Sequence, residues 1–234
     1  MTSSEVATVT LSAMTEMNAS RWDYTSRYLR DVFGAEDDHL STLSDRAREA
    51  GLPEIAISPD VGRLLLLLTS MTRGRFAVEV GTLGGYSAMW IARGLRPGGR
   101  LLTIEANLGH AAFAEREFAA AGLDERVEVR AGLGLEVLAE LARDRAAGSV
   151  DLLFMDAVKT EYPAYFDVAR ELIAPGGLVI ADNVLGTSSW WIDEEAHPDR
   201  IAVDALNRRL AADPAFEAVA VPMREGLLIA RRHG

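Results

Sequence analysis

From Arg75 onward, short apolar runs alternate with segments of helical hydrophobic period. The runs at 76–80 (FAVEV), 100–104 (RLLTI), 126–130 (RVEVR), 151–155 (DLLFM) and 178–181 (LVIA) predict strands. The segments between them, at 86–95, 109–121, 134–146 and 161–173, predict helices. Such alternation builds a doubly wound, mostly parallel sheet, because each parallel return needs a crossover helix. A last helix near 199–211 precedes two more strand-like runs, 216–222 (FEAVAVP) and 226–231 (GLLIAR). Only Met223, Arg224 and Glu225 separate them, so the connection is a tight antiparallel hairpin. The predicted fold is therefore α/β: one seven-stranded sheet with a C-terminal antiparallel hairpin.

Ahead of the sheet the pattern changes. Residues 1–20 are small and polar, without a strong period, and read as a mobile tail. In 21–50, Trp22, Tyr24, Tyr28 and Leu29, then Leu40, Leu43 and Ala47, stand at helical spacing. Gly34 and Gly51 act as stops, giving two helical segments. Ser58 as cap and Pro59 at the first helical position open a further helix to about Met71. No repeat or Pro/Ser-rich linker divides the chain, so 21–234 reads as one domain with N-terminal helices over 21–56.

Composition narrows the function classes. With 49% hydrophobic and 25% charged residues, the chain can bury a full core. A net charge of −11 argues against a general partner of nucleic acid or anionic membrane. The absence of cysteine excludes disulfide scaffolds, thiolate metal sites and a cysteine nucleophile. The longest apolar run, Leu64 to Leu68, is too short to cross a bilayer. The N-terminus lacks the basic-then-apolar order of a secretory signal, so the expectation is a soluble cytoplasmic protein. One lysine, Lys159, stands among the 24 Lys and Arg.

The sharpest local pattern is VEVGTLGGYS at 78–87. In open α/β sheets ligands sit at the carboxyl ends of the strands, where a glycine-rich turn lets them approach the backbone. Glu79 lies near the end of the first strand, and Glu105, in LLTIEAN, ends the second. An acid after the second strand can hold both hydroxyls of a ribose, which points to an adenosine-type cofactor. The order Gly81-Thr82-Leu83-Gly84-Gly85 departs from G-x-G-x-x-G, and no phosphate loop surrounds Lys159. A carboxylate at this mouth repels pyrophosphate and attracts a cation, so the ammonium and sulfonium of S-adenosylmethionine suit it. The competing reading is a glycine turn closing an ordinary strand–helix unit.

The fourth strand ends FMDAVK and the fifth IADN. Asp156, Asp182 and Asn183 thus share the carboxyl edge with the glycine loop. Two carboxylates and an amide oxygen are hard ligands, suited to Mg²⁺, Ca²⁺ or Mn²⁺ rather than zinc. Alternatively, Asp182-Asn183 is a plain turn and Asp156 a helix cap.

Together these residues carry a resemblance. From about Tyr28 to Arg232 the chain is similar to the metal-dependent class I O-methyltransferases, the group of caffeoyl-CoA O-methyltransferases and, more distantly, catechol O-methyltransferase. AISPDVGRLL, VEVGTLGGYS, MDAVKTEY and PGGLVIADN resemble that family's motifs. The resemblance implies a Rossmann-like fold and methyl transfer from S-adenosylmethionine to a hydroxyl of a small-molecule vicinal diol, a catechol foremost. It implies a divalent cation, Mg²⁺ foremost, and a homodimer. Cofactor contacts then fall on Ile57, Glu79, Gly81, Thr82, Ser87, Glu105, Gly134 and Asp156. Metal ligands fall on Asp156, Asp182 and Asn183, and the catalytic base on Lys159, a role closed to arginine.

The chain also departs from the family. Gly134 replaces a usual alanine, Val158 replaces an acid of the plant members, and no second lysine exists to grip a CoA ester. A CoA thioester acceptor is therefore not implied. Trp190 and Trp191 follow the second metal motif, to stack on an aromatic acceptor or to pack at a subunit interface. Two other classes compete: a metal-independent methyltransferase of the same fold, and a non-catalytic cofactor-binding protein.

Overall fold

The computed structural model describes residues 18–186 and 190–234. Most of the expected tail lies outside the described residues. Asn18 caps α1 (Ala19–Phe33), its side chain accepting from the Arg21 N–H. Three helices, α1, α2 (Asp38–Ser41) and α3 (Leu43–Glu49), stand where the spacing predicts two. The extra start comes from Asp37, whose carboxylate accepts from the Leu40 N–H at 2.9 Å. In α4 (Pro59–Ser70), Pro59 takes the first turn as expected, but the buried Ser58 hydroxyl makes no capping bond.

The sheet comprises β1 (Phe76–Val80), β2 (Arg100–Glu105), β3 (Val127–Ala131), β4 (Val150–Met155), β5 (Ile173–Asp182), β6 (Phe216–Val221) and β7 (Leu227–Arg232). Their order is β3-β2-β1-β4-β5-β7-β6, with β7 antiparallel to both neighbours and the other pairs parallel. Helices α5 (Tyr86–Gly94), α6 (Leu108–Ala120), α7 (Gly134–Asp144), α8 (Tyr162–Ala169), α9 (Trp190–Asp193) and α10 (Pro198–Ala212) complete the chain. The fold class and the hairpin match the hydrophobic pattern.

One element differs. The predicted helix over 161–173 and strand over 178–181 become α8, a short 3₁₀ turn, and a β5 that already begins at Ile173. Ile173 pairs with Val150 and Leu178 with Leu152, so the segment 174–177 is accommodated as a bulge. Pro-Gly-Gly reads as a break because proline lacks an N–H and glycine lacks a side chain; a bulge tolerates both.

Alternation along the strands divides the core. Val78, Leu153 and Met155 face the layer holding Tyr165, Phe166 and Leu206. Ala77, Leu152 and Phe154 face the layer holding Leu65, Trp90 and Ile91. Covered on both faces, β1 and β4 are buried throughout and leave their carboxyl ends as the open edge. Among the described residues no helix is long and apolar enough to cross a membrane.

Candidate active site

The carboxyl ends of β1, β2, β4 and β5 open into one cavity of about 870 Å³. Gly81 turns the chain away from β1 at φ +99°, and a Cβ there would lie 2.0 Å from the Asp156 carbonyl oxygen. Only glycine permits that approach, which sets the ends of β1 and β4 side by side. Glu105 then ties the loop to β2. Its Oε2 accepts from the N–H groups of Thr82 (3.2 Å) and Leu83 (2.8 Å), and its Oε1 from that of Asn107 (2.9 Å). A carboxylate offers about four acceptor sites, so capacity remains for a ligand hydroxyl.

Glu79 lies beneath the cavity rather than on its wall. It is fully buried, with Oε1 accepting from Ser87 Oγ at 2.6 Å and Oε2 from Thr103 Oγ1 at 2.5 Å. Burial pushes its carboxyl up to about 8, against the pull of the two hydroxyl donors. Ser87, in the first turn of α5, does line the cavity. The acid therefore reaches the cavity through that hydroxyl. Ile57, Gly81, Thr82, Glu105 and Gly134 also line it. At Gly134 a Cβ would stand 2.9 Å from the Tyr165 ring, which glycine lets approach the α7 N-terminus.

At the ends of β4 and β5, Lys159 Nζ donates to Asp156 Oδ1 at 2.8 Å. Asp156 caps no helix; the residue at the start of the following 3₁₀ turn is Val158. Asp182 is 1% exposed, and burial pushes its carboxyl up to about 6, with the Asp156 charge adding to the rise. Arg224 opposes that rise: its Nη1 stands 3.6 Å from Asp182 Oδ2. Asp182 Oδ1 is buried with no hydrogen-bond partner. Asn183 follows at φ +59°, a left-handed conformation that ends the strand.

An orphaned carboxylate oxygen beside a second carboxylate and an amide oxygen is a donor set that fits a hard divalent cation. Among the described residues no cluster of three or more His, Cys, Asp or Glu could hold a metal, so the Asn183 amide is needed to complete it.

Two contributors escape a reading of the sequence. Arg224 sits in the β6–β7 hairpin, and only the pairing of β7 with β5 brings it beside Asp182. Tyr162, wholly buried, places its hydroxyl 3.1 Å from the Met155 carbonyl and 3.2 Å from the Asp182 carbonyl. It joins the ends of β4 and β5. Trp191 stands apart: it packs against the core, with the Arg200 guanidinium 5.6 Å from its ring. Trp190 opens α9, and its side chain lies outside the described residues.

A family profile described as O-methyltransferase matches residues 31–233. The chain is 36% identical over 207 residues to a catechol O-methyltransferase of Niastella koreensis, covering 88% of this chain and 93% of that one. It is 34% identical to a catechol O-methyltransferase of Mycobacterium tuberculosis, covering 83% and 86%. The O-methyltransferase from Bacillus cereus in complex with SAH superposes with a TM-score of 0.81 at 34% identity, over 89% and 97% of the two chains. TomG from Streptomyces achromogenes, an O-methyltransferase in complex with SAM, gives 0.81 at 33% identity over 94% and 100%. The glycine loop, the acid-lined strand ends and this match over nearly the whole chain lead to one conclusion: the chain belongs to the O-methyltransferase family and is an enzyme of that kind.

Proposed function

We propose that the enzyme transfers the methyl group of S-adenosylmethionine to one hydroxyl of a small-molecule vicinal diol, a catechol foremost, with Mg²⁺ or a similar cation at Asp156, Asp182 and Asn183. The observation that carries this reading is the buried, unpartnered Asp182 Oδ1 beside Asp156, Asn183 and Lys159. The catechol is supported by the names of the two relatives, and the cofactor by the solved neighbours that contain SAH and SAM.

When bound, the cofactor supplies an electrophilic methyl and the cation supplies Lewis acidity at the acceptor oxygen. The chain's residues do the rest. Glu105 takes the ribose hydroxyls while holding the loop, and Ile57, Gly81, Thr82, Ser87 and Gly134 shape the seat around the cofactor. Glu79 orients the Ser87 hydroxyl from below. Lys159 Nζ accepts the acceptor's hydroxyl proton, which the guanidinium of an arginine could not do. The remaining rate gain comes from orientation of donor and acceptor rather than from covalent chemistry.

One observation favours a cation-independent variant of this reaction: Lys159 and Arg224 already face the two carboxylates. Labelled S-adenosylmethionine incubated with a panel of catechols, with EDTA and with added Mg²⁺, separates the two. Methylation lost in EDTA and restored by Mg²⁺ supports the cation. Full turnover in metal-free enzyme rejects it, and no transfer to any catechol rejects the acceptor class.

A further inference from the structure

At the amino ends of β1, β2 and β4, the edge opposite the catalytic cavity, a second concavity of about 380 Å³ is lined by Arg73, Arg75, Arg100, Arg145 and Ser149. Two of its guanidiniums are held in place. Arg73 Nε donates to Asp151 Oδ1 at 2.7 Å and its Nη2 to the Gly148 carbonyl at 3.0 Å. Asp151 is almost wholly buried, and its Oδ2 accepts from the N–H groups of Arg75 (2.7 Å) and Phe76 (3.1 Å). Its acceptor capacity is thus taken up by Arg73 and the backbone of the sheet edge. The Arg145 guanidinium lies over the Phe76 ring, 3.5 Å from its centroid.

The strand register gathers the others. Phe76 pairs with Arg100, so both side chains leave the same face of the sheet, the face on which Arg145 stacks. Arg75 is joined to Arg100 by the Arg100 N–H donating to its carbonyl at 3.0 Å. Among the described residues Arg75, Arg100 and Arg145 form no ion pair, although the chain carries 35 Asp and Glu against 24 Lys and Arg. The Ser149 hydroxyl also has no hydrogen-bond partner. Asp151 is paired with Arg73, while Arg75, Arg100 and Arg145, without a carboxylate partner of their own, repel one another, and an anion shared between them removes that repulsion.

We propose that this basin binds a phosphate-bearing anion, a diphosphate group foremost, independently of the methyl-transfer site. Arginine's planar fork matches phosphate oxygens with two parallel hydrogen bonds, and preformed guanidiniums lose less freedom on binding. The volume lies near the lower end of ligand pockets, which suits a small anion. The net charge of −11 opposes a nucleic-acid chain as the occupant.

Calorimetry on the intact enzyme at fixed ionic strength tests this with inorganic pyrophosphate, ADP, inorganic phosphate and sulfate as probes. One pyrophosphate should bind per chain, and Arg100→Ala and Arg145→Ala should each weaken it about tenfold, the weight of a charge-assisted pair. Both side chains are exposed, so the variants keep the fold, and SAH binding at the far edge stays unchanged as the internal control. ADP binding no tighter than pyrophosphate assigns the site to the diphosphate group itself; tighter binding assigns it to a nucleotide. No saturable binding at millimolar pyrophosphate overturns the proposal. So does an affinity equal to that for sulfate, or one unchanged in the two variants.

Discussion

At the scale of single residues, burial sets the chemistry of the acids. Asp182 is the clearest case: its folded-state pKa is raised from 3.8 to about 6 by desolvation, with Asp156 adding to the rise. The native state therefore holds that proton more tightly than the unfolded chain does. The associated stability is complete below pH 3.8 and is lost as pH rises through about 6. Asp182→Asn should thus add up to about 3 kcal/mol of stability at pH 8, seen as a higher Tm, with a gain that vanishes near pH 4. The same variant should abolish turnover while SAH still binds; thermal melts at both pH values and a methylation assay check it. Lys159→Arg keeps a positive charge beside Asp156 but removes a group that can lose its proton and then act as a base. Its kcat should fall about 10²–10⁴-fold, with part of the loss recovered at high pH. A pH–rate profile unchanged from the parent enzyme would show that Lys159 is not the base. For Glu105, alanine removes the acceptor of three loop N–H groups. S-adenosylmethionine binding should weaken by about 1–3 kcal/mol by calorimetry, and Glu105→Gln should recover part of it.

At the scale of elements, the site depends on strand ends kept in register. Gly81 lets β1 and β4 close up, and the Tyr162 hydroxyl then serves carbonyls at the ends of both β4 and β5. Tyr162→Phe removes the one hydroxyl proton shared between these two carbonyls and frees the spacing of Asp156 and Asp182. We expect about 1–3 kcal/mol of lost stability in denaturant titration, with a fall in kcat larger than any change in cofactor affinity. This contribution marks the limit of what the sequence discloses. Strand and helix order was legible because burial on both faces of β1 and β4 enforces unbroken apolar runs. The glycine loop and the acids at the strand ends were legible because their chemistry lies in consecutive residues. The first part of β5 was not, because Pro175-Gly176-Gly177 carries the local signature of a break. Nor was the depth of Glu79, which depends on Ser87 and Thr103 closing over it. Arg224 reaches Asp182 from the hairpin before β7, the strand paired with β5, a proximity that no local pattern encodes.

At the scale of the molecule, the covered sheet accounts for everything except the N-terminal helix. Residues of α1 include none that is buried, yet Trp22, Tyr24, Tyr28, Val32 and Phe33 are each at least 50% exposed. A helix of 15 residues is marginal by itself in water, and its stability must come from an apolar face packed against something. Its packing on α4 leaves those rings in solvent, and α4 with its C-cap residue adds the exposed Leu67 and Met71. A cluster of aromatic side chains of this kind marks an association surface. A second copy of the chain, as the family resemblance implies, is the occupant that a pure preparation can supply. Sedimentation equilibrium of the enzyme should give a dimer at micromolar concentration. Trp22→Asp and Tyr28→Asp, neither of which lines the catalytic cavity, should shift it to monomer and lower the Tm, since α1 then keeps only its packing on α4. A monomer in the parent enzyme, or a dimer untouched by both substitutions, would leave α1 without that role. If the variants also lose turnover while keeping cofactor affinity, the dimer shapes the acceptor half of the cavity, whose lining includes segment 53–57 between α3 and α4.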